Sequence, residues 1–127
     1  MSSRYYLAMG WLGVIIIIII ILLACSQARG VELWKITAYC SCFKCCNKTD
    51  GITASGRKAK SGYVACNWLK FGTRLVIDGN SYTVQDRGAK SLFGTKAKPI
   101  KHIDIWMASH KAARQYGVKY MPVKILK

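Results

Sequence analysis

Residues 5–25 form an uninterrupted apolar run without a single charge, and residues 15–21 are seven consecutive isoleucines. At about 1.5 Å per residue, a helix needs about 20 such residues to cross a bilayer. The run therefore predicts a hydrophobic N-terminal signal or anchor helix within residues 1–30. After it the pattern shifts to short alternating stretches. Residues 33–39 read as a strand, as do 73–77 and 81–85, with Asp78-Gly79-Asn80 between the latter two as a hairpin turn. Residues 100–106 are a further strand candidate. Residues 109–116 predict a short helix with Ser109 as N-cap and Gly117 as its left-handed stop. Residues 118–126 alternate again. Turn-rich segments at 49–62 and 88–99 separate these pieces. Residues 31–127 are thus expected to be one mainly β domain, a small barrel of short strands with one short helix.

The leader allows three fates. Ser26-Gln27-Ala28 offers small residues for signal cleavage. Leu22-Leu23-Ala24-Cys25 resembles a bacterial lipobox, which makes Cys25 a lipidation candidate. The run is also long enough to stay as an anchor. Arg4 alone precedes it, while Arg29, Lys35 and Lys44 follow, so local charge counting disfavours export. A short leader ahead of a folded domain is nevertheless usually translocated, and export to the periplasm or cell wall is the expectation.

Composition sharpens the chemistry. The chain has 127 residues, 20 Lys plus Arg but only 5 Asp plus Glu, for a formal net charge of +15. One domain fits that length. Any carboxylate chemistry falls to Glu32, Asp50, Asp78, Asp86 and Asp104. A calcium cage of several acidic ligands is excluded on those numbers. Asp50 and Asp78 precede glycine, and turn duty explains both. The basic residues are spread along the domain. With export they point to wall polymers and anionic headgroups rather than nucleic acid.

Cys40, Cys42, Cys45, Cys46 and Cys66 follow the leader. In an exported domain they are disulfide candidates that stabilise a small core. In a reducing compartment, four thiolates drawn from them can hold zinc. Five is an odd number, and spacing selects no pairing, although a bridge between adjacent Cys45 and Cys46 is disfavoured by geometry. His102 and His110 read as surface or core histidines, because nothing in the sequence links either to a particular thiol.

Five segments in order resemble one family: TAYCSCFKCC at 37–46, DGITASG at 50–56, VACNWLKFGT at 64–73, VQDRG at 84–88 and HIDIW at 102–106, followed by Ser109 and His110. Together, over residues 36–126, they resemble the 3D domain, a bacterial and phage cell-wall module named for three aspartates. The resemblance implies a double-psi β-barrel related to the core of membrane-bound lytic transglycosylases. It implies cleavage of peptidoglycan between N-acetylmuramic acid and N-acetylglucosamine by a monomeric enzyme that binds glycan strands and needs no cofactor or metal. It assigns the catalytic acid to Asp104 and support to Asp86, with Asn67, Thr53 and Tyr39 as substrate-binding positions. Asn67 stands where the family usually carries the first aspartate. The 17 residues between Asp86 and Asp104 also exceed the family's shorter, glycine-rich connection. A non-catalytic module that binds glycan or teichoic acid through the same barrel is the alternative.

Overall fold

The computed structural model describes residues 3–25 and 30–127. The chain divides into two compact units, one ending at Val31 and one spanning Glu32–Lys127. In the first, α1 (Ser3–Cys25) is a helix of 23 residues. The side chains of residues 10–23 are all exposed. Among the described residues no helix is long and apolar enough to cross a membrane. The candidate cleavage segment Ser26-Gln27-Ala28 and the Cys25 side chain lie outside the described residues.

The second unit contains β1 (Leu33–Tyr39), α2 (Phe43–Cys46), β2 (Tyr63–Ala65), β3 (Arg74–Ile77), β4 (Asn80–Asp86), α3 (Lys90–Phe93), β5 (His102–Trp106), α4 (His110–Tyr116) and β6 (Lys119–Leu126). The six strands close into a barrel in the order β1-β5-β2-β4-β3-β6. β1 runs parallel to β5, and β2 runs parallel to β4. The other four neighbouring pairs are antiparallel. Closure removes every free sheet edge, which an exposed small sheet would otherwise offer to other chains.

The period of two along each strand decides what faces inward. Trp34 and Ile36 of β1, Val64 of β2, Leu75 and Ile77 of β3, Val84 of β4, and Ile103 and Ile105 of β5 form one buried cluster together with Cys66. Trp34 packs on Trp68 with ring centroids 5.2 Å apart. The residues between them, Thr37 on β1 and His102 and Asp104 on β5, are left on the opposite face. Alternation thus builds the core and presents the polar groups in a single step.

The β3–β4 hairpin turns through Asp78 and Gly79, with φ of 48° and 74°. Positive φ at both central residues is what a two-residue hairpin turn demands, and an Asp-Gly pair supplies it cheaply. Ser109 caps α4, its Oγ accepting from the Ala112 N–H at 3.1 Å. Gly117 ends the helix differently from expectation. Its φ of 69° is positive, but its ψ of −149° is extended rather than left-handed helical. That region is essentially closed to residues with a Cβ. β5 begins at His102 rather than at residue 100, because Ile100 turns back against the preceding loop, its N–H reaching the Phe93 carbonyl.

Candidate functional site

Ala65 is the pivot of the site. It stands in register with Asp104 of β5 on one side and with Asp86 of β4 on the other. Two strand spacings place the backbones of the two aspartates about 10 Å apart. A bulge at Val64/Ala65 adjusts the register there. The methyl group of Ala65 leaves the space between the carboxylates open. A cavity of about 340 Å³ occupies it, lined among others by Tyr39, Ser41, Cys46, Ala65, Asp86 and Asp104. This lies at the lower end of the ~300–1,000 Å³ range of ligand pockets.

Asp86 is surrounded by donors. The Tyr39 hydroxyl donates to its Oδ2 at 2.7 Å. The Ala54 and Arg87 N–H groups donate to Oδ1 at 2.8 Å and 2.9 Å. Burial, reinforced by the hydrogen bond to Asp86, drives the Tyr39 phenol far above its ordinary range, so it remains a proton donor.

Asp104 is held differently. Burial raises its pKa to about 6 and the charge of Asp86 adds to the rise, while a hydrogen bond from Thr37 opposes it. Thr37 pairs with Asp104 across the parallel β1/β5 ladder, and its Oγ1 lies 3.0 Å from Asp104 Oδ1. The same oxygen lies 2.8 Å from Nε2 of His102. On the far side of that ring, Nδ1 lies 3.2 Å from the Leu92 carbonyl. Phe93 stacks on the ring at 4.1 Å with planes 7° apart.

The order of protons along this chain follows from the acceptors. The Leu92 carbonyl can only accept, so Nδ1 of His102 carries a proton. In a neutral ring Nε2 is then an acceptor, and Thr37 donates to it. Thr37 has one proton, so its oxygen is satisfied from the other side when Asp104 is protonated and donates. With Asp104 ionised, Thr37 donates to the carboxylate instead, and His102 must be charged to bond both neighbours. Burial lowers the His102 pKa, with Lys35 adding to the effect and the Leu92 bond opposing it. The protonation states of His102 and Asp104 are thus coupled through Thr37.

The other expected positions take supporting roles. Thr53 is buried, and its Oγ1 donates to the Arg57 carbonyl at 3.0 Å. It shapes the turn that presents the Ala54 N–H to Asp86. Asn67 stands apart from the cavity lining. Its Nδ2 donates to the carbonyls of Gly88 at 3.0 Å and Gly94 at 2.8 Å, and its Oδ1 accepts from the Gly88 N–H at 2.8 Å. It clamps the long connection between Asp86 and Asp104, from which Leu92 and Phe93 supply a wall of the cavity. Asp50 serves its turn, accepting from the Ile52 N–H at 2.9 Å.

Cys40, Cys42, Cys45, Cys46 and Cys66 are free thiols. Cys66 is fully buried in the core. Cys46 donates to the Cys40 carbonyl at 2.9 Å and lines the cavity. The remaining three gather around His110, contrary to its reading as an unconnected histidine. The fold brings it across 65 or more positions of sequence to thiols that no local pattern ties to it. Burial pushes the Cys40 thiol up to about 12, while the hydrogen bond from Cys40 draws the Cys42 thiol down to about 6.

No family model and no curated protein matches the chain in comparisons with known proteins.

Proposed function

We propose that the chain is an exported peptidoglycan-cleaving enzyme, a lytic transglycosylase of the 3D-domain type with a double-psi barrel, and that Asp104 is its acid. The observation that carries the reading is a half-buried carboxyl with a pKa near 6 on the wall of an open cavity, beside a second carboxylate. The closed six-stranded barrel with two parallel pairs is compatible with that architecture.

The chemistry needs one proton donor. A glycosidic bond breaks when its leaving oxygen is protonated as the sugar ring gains oxocarbenium character. Protonated Asp104 donates to that oxygen. The resulting carboxylate then takes the proton of the sugar's own 6-hydroxyl, which closes on the anomeric carbon and gives a 1,6-anhydro product. Burial favours the protonated acid, and Thr37 holds it in orientation. Asp86, fixed by Tyr39 and two N–H groups, places negative charge where the oxocarbenium develops. In this reading the excess of lysine and arginine draws the exported domain to anionic wall polymers.

The test is digestion of purified peptidoglycan by the full-length protein in detergent, with products identified by mass. Anhydro-muropeptides support the assignment, and hydrated products convert it to a hydrolase. Binding without soluble fragments leaves the wall-binding module, which the formal net charge of +15 favours.

A further inference from the structure

Beside the cavity, which Cys45 and Cys46 both line, four soft donor atoms converge. Sγ of Cys40 lies 3.1 Å from Sγ of Cys42 and 3.4 Å from Sγ of Cys45. Nδ1 of His110 lies 3.8 Å, 3.5 Å and 3.4 Å from the sulfurs of Cys40, Cys42 and Cys45. All four ligand atoms fall within 4.8 Å of one another. We propose that Cys40, Cys42, Cys45 and His110 form a structural zinc site.

The dimensions fit. A tetrahedral ion with Zn–S bonds of about 2.3 Å and a Zn–N bond of about 2.0–2.1 Å sets its ligands ~3.8 Å apart for two sulfurs and ~3.6 Å apart for sulfur and nitrogen. The sulfur–nitrogen separations match, and the two sulfur–sulfur separations from Cys40 are shorter than the ideal by about 0.7 Å and about 0.4 Å, so the thiols part slightly to admit the ion. Both separations remain well beyond the about 2.05 Å of a disulfide bond. A disulfide would also use two of the three thiols and leave the third, together with the imidazole, without a purpose.

Local structure delivers each ligand. The N–H groups of Cys45 and Cys46 both donate to the Cys42 carbonyl at 3.0 Å. This tight turn brings Cys42 and Cys45 together and sends Cys46 elsewhere. The Ser109 cap fixes the first turn of α4, where His110 sits. Three thiolates and one imidazole select a soft, tetrahedral divalent ion over magnesium or calcium. Four protein ligands leave no open position, so the site is structural rather than catalytic. Binding replaces thiol protons with the ion and releases them to solvent.

The consequence is mechanical. The ion ties the loop after β1 to the start of α4, the segment that follows β5. Thr37 and Tyr39 lie on β1 and Asp104 on β5, so the clamp closes the end of the barrel at which the cavity lies. A second bond ties the same loop to the end of β5, from Trp106 Nε1 to Ser41 Oγ at 2.8 Å.

The test titrates cobalt(II) into the reduced, metal-free full-length protein in detergent, followed by competition with zinc. One equivalent is expected to give thiolate-to-cobalt charge transfer and intense tetrahedral bands that zinc abolishes. Cys42→Ser and His110→Ala are expected to lose that spectrum at one equivalent. Cys46→Ser and Cys66→Ser are expected to keep it. His110→Cys guards against loss of fold, because it is expected to bind with the spectrum of four sulfurs. The proposal is overturned if the folded wild type binds no cobalt, if His110→Ala leaves the spectrum unchanged, or if Cys46→Ser loses it as Cys42→Ser does. A Cys40–Cys42 or Cys40–Cys45 disulfide in protein purified without oxidant, with no metal retained after reduction, overturns it as well.

Discussion

Thr37 faces Asp104 in register across the parallel β1/β5 pair, and its hydroxyl lies 3.0 Å from the carboxyl. That bond lowers the pKa of Asp104 against the rise imposed by burial. Thr37→Val keeps the side-chain shape and removes the hydroxyl. The Asp104 pKa is then expected to climb above about 6. The alkaline limb of the pH–rate profile for muropeptide release should shift to higher pH. Release should also slow by ~10-fold, because the acid loses its orientation. An unshifted profile would separate Thr37 from the acid.

Asp104→Asn is expected to reduce muropeptide release by ~10²–10⁴-fold, the usual contribution of a general acid. Its stability should move the other way. The folded pKa of about 6 lies above the ordinary value of 3.8. A carboxyl raised in this manner favours the folded state only while protonated. Wild-type stability should therefore fall as pH rises from 4 through 6. Above that window the variant should be the more stable, by at most about 3 kcal/mol. Below pH 4 the two should converge. Thermal unfolding of both proteins across pH 4–8 measures the difference.

Ala65→Leu tests whether the open space between the aspartates matters. Ala65 is buried and lines the cavity between its two partners. Three additional carbons there either fill the cavity or press on the carboxylates. The cost to folding is expected to be about 1–3 kcal/mol. Glycan release should drop by ~10²-fold or more. Isothermal titration with a soluble muropeptide should show the same loss of binding, whether the protein is an enzyme or a wall-binding module.

Much of this architecture was legible in the chain. The β1 strand, the hairpin at Asp78-Gly79 and the Ser109 cap each follow from a local rule of period or turn chemistry. So does the outward placement of Asp104 between buried Ile103 and Ile105, which alternation alone dictates. The three-residue strand β2 has too few residues to show a period, yet its Ala65 organises the site. His110 and the thiols illustrate the same limit. Their meeting depends on barrel closure, and no spacing rule reaches across such a separation. The Thr37–His102 connection was equally hidden, because it needs the parallel register of β1 and β5. Sequence arithmetic could not anticipate a β1–β5 pairing that leaves out the strands between them.

Gly88→Ala probes the wall built by the long connection. A Cβ at Gly88 would lie 2.2 Å from two ring carbons of Phe93. Phe93 is buried and stacked on His102, so the ring has little room to yield. The substitution is expected to cost about 1–3 kcal/mol by overpacking. Limited proteolysis within residues 88–99 should accelerate. The imidazole resonances of His102 should shift as the stack opens.

Asn67→Asp restores the aspartate usual in the family that the sequence resembles, and it is expected to harm this protein. Asn67 uses its amide fully, with two bonds donated to carbonyls and one accepted from an N–H. An ionised carboxylate keeps the bond from the Gly88 N–H but turns an oxygen toward the Gly88 and Gly94 carbonyls. Two acceptors lose their donor, and like dipoles face one another. The penalty is expected to be about 2 kcal/mol or more at neutral pH. Protonation gives the carboxyl one donor, so the penalty should shrink as pH falls toward 4. Denaturant unfolding of wild type and variant at both pH values measures this. The carbonyl of Gly94 belongs to the long connection, so a chain that carries this loop needs a donor at position 67, and asparagine is the substitution for aspartate that supplies one without changing size. Equal stability at both pH values would detach Asn67 from the loop and return it to the glycan.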